Sequence, residues 1–192
     1  MTAARRWLTV AGSVAVVLVL DQLSKRWAVD RLKGQVPIDV VWTLRLNYAE
    51  NTGMAFSKGS GSGRFIALVV VAIVVVLLVV ARRMTSWLQL VLVGVVIGGA
   101  LGNLLDRIFR AGSGFLTGGV VDFIDVQWWP IFNVADAAVV VGGIALALTG
   151  LGAPDDPASD GPGAGPDEPD GPATNAEVVD EMTARAPDEP PG

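Results

Sequence analysis

Residues 120–136 read VVDFIDVQWWPIFNVAD. Two carboxylates, Asp122 and Asp136, frame a short apolar and aromatic segment, and a long apolar run begins directly after Asp136. A carboxylate at the mouth of a membrane helix is expensive to place, so each needs a reason. Val120 to Val126 has the length of a short strand, and Trp128-Trp129 suits the aromatic belt of a membrane interface. Asp122 and Asp136 therefore read as an active site, with unusual polar residues elsewhere supporting it.

Outward from this stretch, the apolar segments come in four runs. The run from Ala135 to Leu151 takes in Asp136 at its start. Upstream, Trp87 to Leu105 carries Gly94, Gly98 and Gly102 at four-residue spacing, a ridge of small residues that lets another helix approach closely. Phe65 to Val80 is stopped by Arg82-Arg83. The first run, Trp7 to Leu20, would cover only about 21 Å as a helix, short of the roughly 30 Å hydrocarbon core. Extended through Trp27 to Val29 it spans, which places Asp21 and Lys25 inside the helix, four apart and able to pair. No small-x-small cleavage site follows it, so a removed signal peptide is disfavoured. Basic flanking of a membrane helix is a better reading of Arg5-Arg6 than a twin-arginine export signal.

Two connecting regions are not membrane-like. In residues 36–62, Ile38, Val40, Trp42, Leu44, Leu46 and Tyr48 recur at every second position, the period of a half-buried strand. This segment reads as a small amphipathic sheet on the membrane surface, followed by NTGMAF and the loop KGSGSG. Residues 111–119 are a Gly-rich turn region.

Composition agrees with a membrane protein. Of 192 residues, 52% are hydrophobic, and the mean hydropathy is +0.52, too apolar for an ordinary soluble domain. The net charge of −5 hides a division: residues 1–152 carry about +5 and residues 153–192 about −10. The second segment is rich in Pro, Gly, Asp and Glu and cannot bury enough apolar surface to offset the entropy of ordering. The division is thus a membrane domain at 1–152 and a disordered acidic tail at 153–192. Neither part has the basic patch of a nucleic-acid binder. The chain has no Cys and no His, which excludes a thiol nucleophile, disulfides, a Ser-His-Asp triad and the usual zinc ligands. Acid–base work is left to Asp, Glu, Lys or Tyr.

The clusters Arg5-Arg6 and Arg82-Arg83 lie on one side and read as cytoplasmic, although Lys33, Arg45 and Lys58 oppose a bare charge count. Four spans put both termini inside. The polar anomalies then share the outer face: Asp21 and Lys25 on helix 1, Asn51 in the loop, Asn103, Asp106 and Arg107 at the end of helix 3, Asp122 in the next loop, and Asn133 and Asp136 at the start of helix 4. Each has a plainer reading. Asp21 and Lys25 can be a polar clamp, Asn51 and Gly53 a turn, Asp106 a partner of Arg110, Arg107 a residue snorkelling to headgroups, and Asp136 a helix cap for which Asn133 competes. Asp125 reads as a solvated residue on the opposite face of the strand from Asp122. Two close carboxylates share one proton, so an ionised one can activate water while the protonated one donates to a scissile carbonyl. Paired carboxylates also suit cation or proton translocation, and a lipid-binding or assembly protein remains a non-catalytic alternative.

Five ordered blocks resemble the lipoprotein signal peptidase (signal peptidase II) family: DQLSK at 21–25, NTGMAF at 51–56, GGALGNLLDR at 98–107, VVDF at 120–123 and FNVAD at 132–136. The resemblance covers roughly residues 5–152. It implies an α-helical integral membrane protein with four transmembrane helices and a small extracytoplasmic β-sheet between helices 1 and 2. It implies an aspartic endopeptidase of the bacterial inner membrane that cuts diacylglyceryl-prolipoproteins on the amino side of the lipidated Cys, needs no cofactor, and is inhibited by globomycin. By the same resemblance Asp122 and Asp136 are the catalytic pair, while Asp21, Asn51, Asn103, Arg107 and Asn133 support the site or the substrate. Ala137 stands where a small hydroxyl residue is common, and the acidic tail lies outside the shared core.

Overall fold

The computed structural model describes residues 2–52, 62–110 and 115–151. Gly53 and the rest of NTGMAF after Thr52, the loop KGSGSG up to Gly61, residues 111–114 and the acidic segment lie outside the described residues.

The elements run in the order α1 (Ala3–Leu32), β1 (Ile38–Val41), β2 (Leu44–Asn51), α2 (Ser62–Ala81), α3 (Trp87–Phe109), β3 (Val120–Asp125) and α4 (Val134–Leu151). Thr2 starts α1 by accepting the Arg5 N–H on its hydroxyl, and Ser86 does the same for α3 with Gln89. Three helices, α1, α2 and α3, are long and apolar enough to cross a membrane. The described part of α4, Val134–Thr149, is apolar but shorter. The thirty residues of α1 amount to roughly 45 Å, more than a bilayer core requires. Its surplus is the end that carries Asp21 and Lys25.

Helix α3 is central, with α1 on one side and α4 on another, and its glycines explain why. A Cβ on Gly94 would lie 2.6 Å from Ser13 Cβ, and one on Gly98 2.8 Å from Val17 Cβ, both on α1. A Cβ on Gly99 would collide with the Ala135 carbonyl of α4. The four-residue ridge is therefore the α1 seam, and Gly99 beside it serves α4. A side chain at Gly98 would force the helices apart, and overpacking of this kind costs about 1–3 kcal/mol. Gly98→Ala is expected to lower the unfolding temperature in detergent. Gly143→Ala, where a Cβ meets nothing within 4 Å, is expected to leave it unchanged or raise it.

Helix α2 packs against α3, and among the described residues it does not pack against α4. A gap lined by apolar side chains is left between them.

The sheet extends beyond the sequence expectation of one confined to residues 36–62. It has three antiparallel strands in the order β1-β2-β3, so the segment after α3 joins the hairpin between α1 and α2. Arg45 faces Asp125, Ala49 faces Asp122 and Asn51 faces Val120. Within residues 36–62 the alternation from Ile38 to Tyr48 covers two strands of the expected sheet, because the chain turns at Trp42 and Thr43. Trp42 has φ 53° and is 95% exposed. A period of two continues in phase across such a short turn, so hydrophobicity alone does not reveal the break. Burial increases from β1, exposed throughout, to β3, which is almost wholly buried. Val121 and Phe123 of β3 pack on Ala28 and Leu32, the last turns of α1. The long first helix thus carries the sheet.

Candidate active site

Asp122 sits in β3, and Val120, two residues before it, shares its cavity-facing side. The chain then folds back. Phe123 and Ile124 donate to the Phe132 carbonyl, and Phe132 donates to the Ile124 carbonyl at 3.1 Å. Gln127, with φ 69°, lies in the turn between them. This closure brings FNVAD alongside VVDF, so fourteen residues of separation in sequence become neighbourhood in space.

Asn133 caps α4. Its Oδ1 accepts the Asp136 N–H at 3.0 Å, and its own N–H donates to Asp136 Oδ2 at 3.1 Å. This is a reciprocal capping box with an aspartate at its third helical position. Asp136 is therefore not the cap itself, contrary to the plainer sequence reading. Its second oxygen, Oδ1, accepts from Asn103 Nδ2 at 2.8 Å. Asn133 Nδ2 donates to Asp122 Oδ1 at 2.7 Å and to Asn103 Oδ1 at 3.1 Å. The fully buried side-chain amide thus touches Asp122 and Asn103, while the backbone N–H of the same residue holds the Asp136 carboxylate. Asn51 also hydrogen-bonds Asp122 from the neighbouring strand.

Behind this layer lies Lys25, with no exposed surface. Its ammonium is 2.9 Å from Asp21 Oδ2, 3.0 Å from Asp106 Oδ2 and 2.8 Å from Asn103 Oδ1. Asp106 does pair Arg110, at 2.9 Å, as the plainer reading of the sequence has it. Arg107 does not reach headgroups: it is 7% exposed and faces the cavity, and its Nη1 has no hydrogen-bond partner among the described residues.

Asp122, Asp136, Asn51, Asn103 and Arg107 border one cavity of about 840 Å³. Its remaining wall is apolar, from Phe65, Ile66 and Val70 of α2 to Val139 and Val140 of α4. Burial, and then the negative charge of Asp136, push the Asp122 carboxyl up from 3.8 to about 6. Both effects disfavour its ionised form.

Of the residues singled out in the sequence, Asp21, Lys25, Asn51, Asn103, Asp106, Arg107, Asn133, Asp122 and Asp136 converge on this end of the helices. Gly53 lies outside the described residues. Asp125 requires a correction. It is not solvated but 4% exposed, bonded to Arg45 Nη2 at 2.7 Å and to the Gln127 N–H at 2.8 Å. Arg45 holds its carboxyl below the ordinary range. Arg45 is its cross-strand neighbour, a pairing between residues 80 apart that periodicity cannot reveal. Sequence reasoning also missed the cavity wall, whose valines carry no signal beyond hydrophobicity. No cluster of three or more metal-ligating side chains occurs among the described residues.

The profile of signal peptidase II matches residues 13–151, a span that contains all five blocks and every polar residue above. The chain belongs to the signal peptidase II family. Members named lipoprotein signal peptidase resemble it closely. That of Mycobacterium avium is 40% identical over 152 residues, covering 77% of this chain and 81% of its own. That of Rhodococcus jostii is 42% identical over 138 residues, covering 71% and 69%. A solved bacterial membrane enzyme superposes with a TM-score of 0.63 at 27% identity, covering 74% of this chain and 92% of its own. As a signal peptidase II, the protein is a membrane aspartic protease that processes prolipoproteins.

Proposed function

We propose that Asp122 and Asp136 are the catalytic pair and that the bond cut is the one on the amino side of a diacylglyceryl-modified Cys. The observation that carries this reading is that both carboxylates border one apolar cavity and that Asp136 raises the proton affinity of Asp122. Asp136 acts as the base. Its two oxygens accept from Asn103 and from the Asn133 N–H, and it sits at the positive end of α4. It takes a proton from water, and the water oxygen attacks the scissile carbonyl carbon. Asp122 gives its proton to the carbonyl oxygen, forming a gem-diol. Asp136 then protonates the leaving amine as the C–N bond breaks, and Asp122 recovers a proton from the diol. The products are a signal peptide with a new carboxylate and a lipidated Cys with a free amino group.

The unpartnered Nη1 of Arg107 and the amide of Asn51 face the space where the substrate backbone would lie. Signal peptide and acyl chains would enter sideways, between α2 and α4, where the apolar wall is open. On this reading four helices span the bacterial inner membrane, with both termini cytoplasmic and the sheet and dyad at the extracytoplasmic face. Arg6 donates to the Arg82 carbonyl, so the two arginine clusters share the opposite end. Residues 1–152 carry the activity and 153–192 are an appendage. Globomycin-type peptides would compete for the cavity. A transporter would need carboxylates at several depths, and Asp21, Asp106, Asp122 and Asp136 are gathered at one end.

The test is cleavage of a diacylglyceryl-modified prolipoprotein by the purified chain in detergent, followed across pH, with the unmodified precursor as control. The proton donor must carry its proton, so kcat/KM is expected to fall as pH rises through about 6. Mass spectrometry should place the cut directly before the modified Cys. Equal cleavage of the unmodified precursor, or a fall centred in the ordinary carboxylate range near 4, would contradict this assignment.

A further inference from the structure

Asp21, Lys25 and Asp106 are 0%, 0% and 2% exposed, and none of them borders the cavity. Their second set of contacts is to backbone. Asp21 Oδ1 accepts the N–H of Ala135 at 3.0 Å, and Ala135 immediately precedes Asp136. Asp106 Oδ2 accepts the N–H of Val121 at 3.3 Å, and Val121 immediately precedes Asp122. The Lys25 ammonium ties the two carboxylates together, and its third contact, Asn103 Oδ1, belongs to the amide that donates to Asp136. Two routes therefore run from one ammonium to the two backbone sites that carry the loop carboxylates. Room for the cluster is made by Gly102, where a Cβ would lie 2.5 Å from Asp21 Oδ2.

Resting on the dyad assignment, we propose that Lys25 is a positioning residue that sets the separation of Asp122 and Asp136. It joins β3 to the start of α4 through Asp106 and Asp21. Substrate does not reach it. The joint is stiff because releasing any member leaves a buried charge unpaired. Its charges are also paired: Lys25 contacts Asp21 and Asp106, and Arg110 contacts Asp106. A displacement of about 1 Å between reacting groups costs on the order of 10²-fold in rate.

Removing Lys25 alone would strand Asp21, so the test removes the link as a neutral pair. The Lys25→Met/Asp21→Asn double variant keeps an amide oxygen opposite the Ala135 N–H and leaves the Asp106–Arg110 pair intact. Its kcat on the diacylglyceryl-prolipoprotein is expected to fall about 30–100-fold with KM within about twofold of the parent. A second measurement is independent of catalysis. Nitroxide labels at Val41→Cys on the sheet and Val141→Cys on α4, both exposed in a chain without other Cys, should give a broader distance distribution in the double variant. Unchanged kcat per folded enzyme, a raised KM with kcat retained, or an unchanged distribution would each overturn the proposal. Failure of the parent to cleave would defeat the dyad reading instead, and the spin-label distances would then decide the joint by themselves.

Discussion

Asp136→Asn is expected to lower kcat/KM for the lipidated precursor by about 10⁴-fold or more, as removal of an activating base does in other proteases. Asp122→Asn should lose as much, because an amide is too weak an acid to transfer a proton to the scissile carbonyl. The two variants should differ in stability. The Asp122 carboxyl is pushed up to about 6 in the folded chain. Folding therefore favours its protonated form, and stability is lost as pH rises from about 4 through 6. Asp122→Asn removes that loss and should stabilise the protein above pH 6 by about 2 kcal/mol. The gain should vanish below pH 4. Asp136→Asn should instead destabilise by about 1 kcal/mol, because its carboxylate accepts both the Asn133 N–H and the Asn103 amide, and an amide oxygen replaces only one of its two acceptors. Thermal unfolding in detergent at pH 4 and pH 7.5, beside the cleavage assay, checks both signs. Retained cleavage by either variant would remove the pair from catalysis.

The second large effect is expected at Asn133. Asn133→Ala deletes the cap of α4, worth about 1 kcal/mol. It also takes one donor from each of the buried Asp122 and Asn103 side chains, which keep those from Asn51 and Lys25, at roughly 1 kcal/mol each. A total of about 2–4 kcal/mol is expected. The rate should fall about 10²–10³-fold, since the amide holds Asp122 and Asp136 in a common frame. Asn133→Asp separates the two roles. It keeps the cap but turns a donor toward Asp122 into a third buried carboxylate, so it should stay nearly inactive and lose more stability than Asn133→Ala as pH rises. Unfolding temperature and kcat measured on the same preparations decide this. A fully active Asn133→Ala would show that the dyad holds its geometry without the bridge.

Much of this architecture is legible in the sequence because the bilayer makes membrane sequences strict. The apolar runs give the helices to within a few residues, Gly94, Gly98 and Gly102 mark a seam, and Arg82-Arg83 mark a boundary. The polar residues stand out because each is costly where it lies. Local pairings were also readable: Asp21 with Lys25 and Asp106 with Arg110 are four apart on a helix, where spacing fixes neighbourhood. Readings failed where the partner came from far away in the chain. Asp125 looked solvated because its partner, Arg45, sits on another strand. The strand alternation hid a turn at Trp42, since a period of two does not register the reversal. The third strand of the sheet depended on pairing across α2 and α3.

Burial cost, helical spacing and strand period are local rules, so they suffice to place two carboxylates of VVDFIDVQWWPIFNVAD at the edge of an apolar helix and to gather polar residues from elsewhere at the same end. Packing is what makes Asn133 cap α4 while its amide bridges Asp122 and Asn103, and what sets Lys25 between the carboxylates holding Val121 and Ala135. Hydrogen bonds between residues 11 to 114 positions apart depend on how helices and strands pack, and no local pattern encodes their direction.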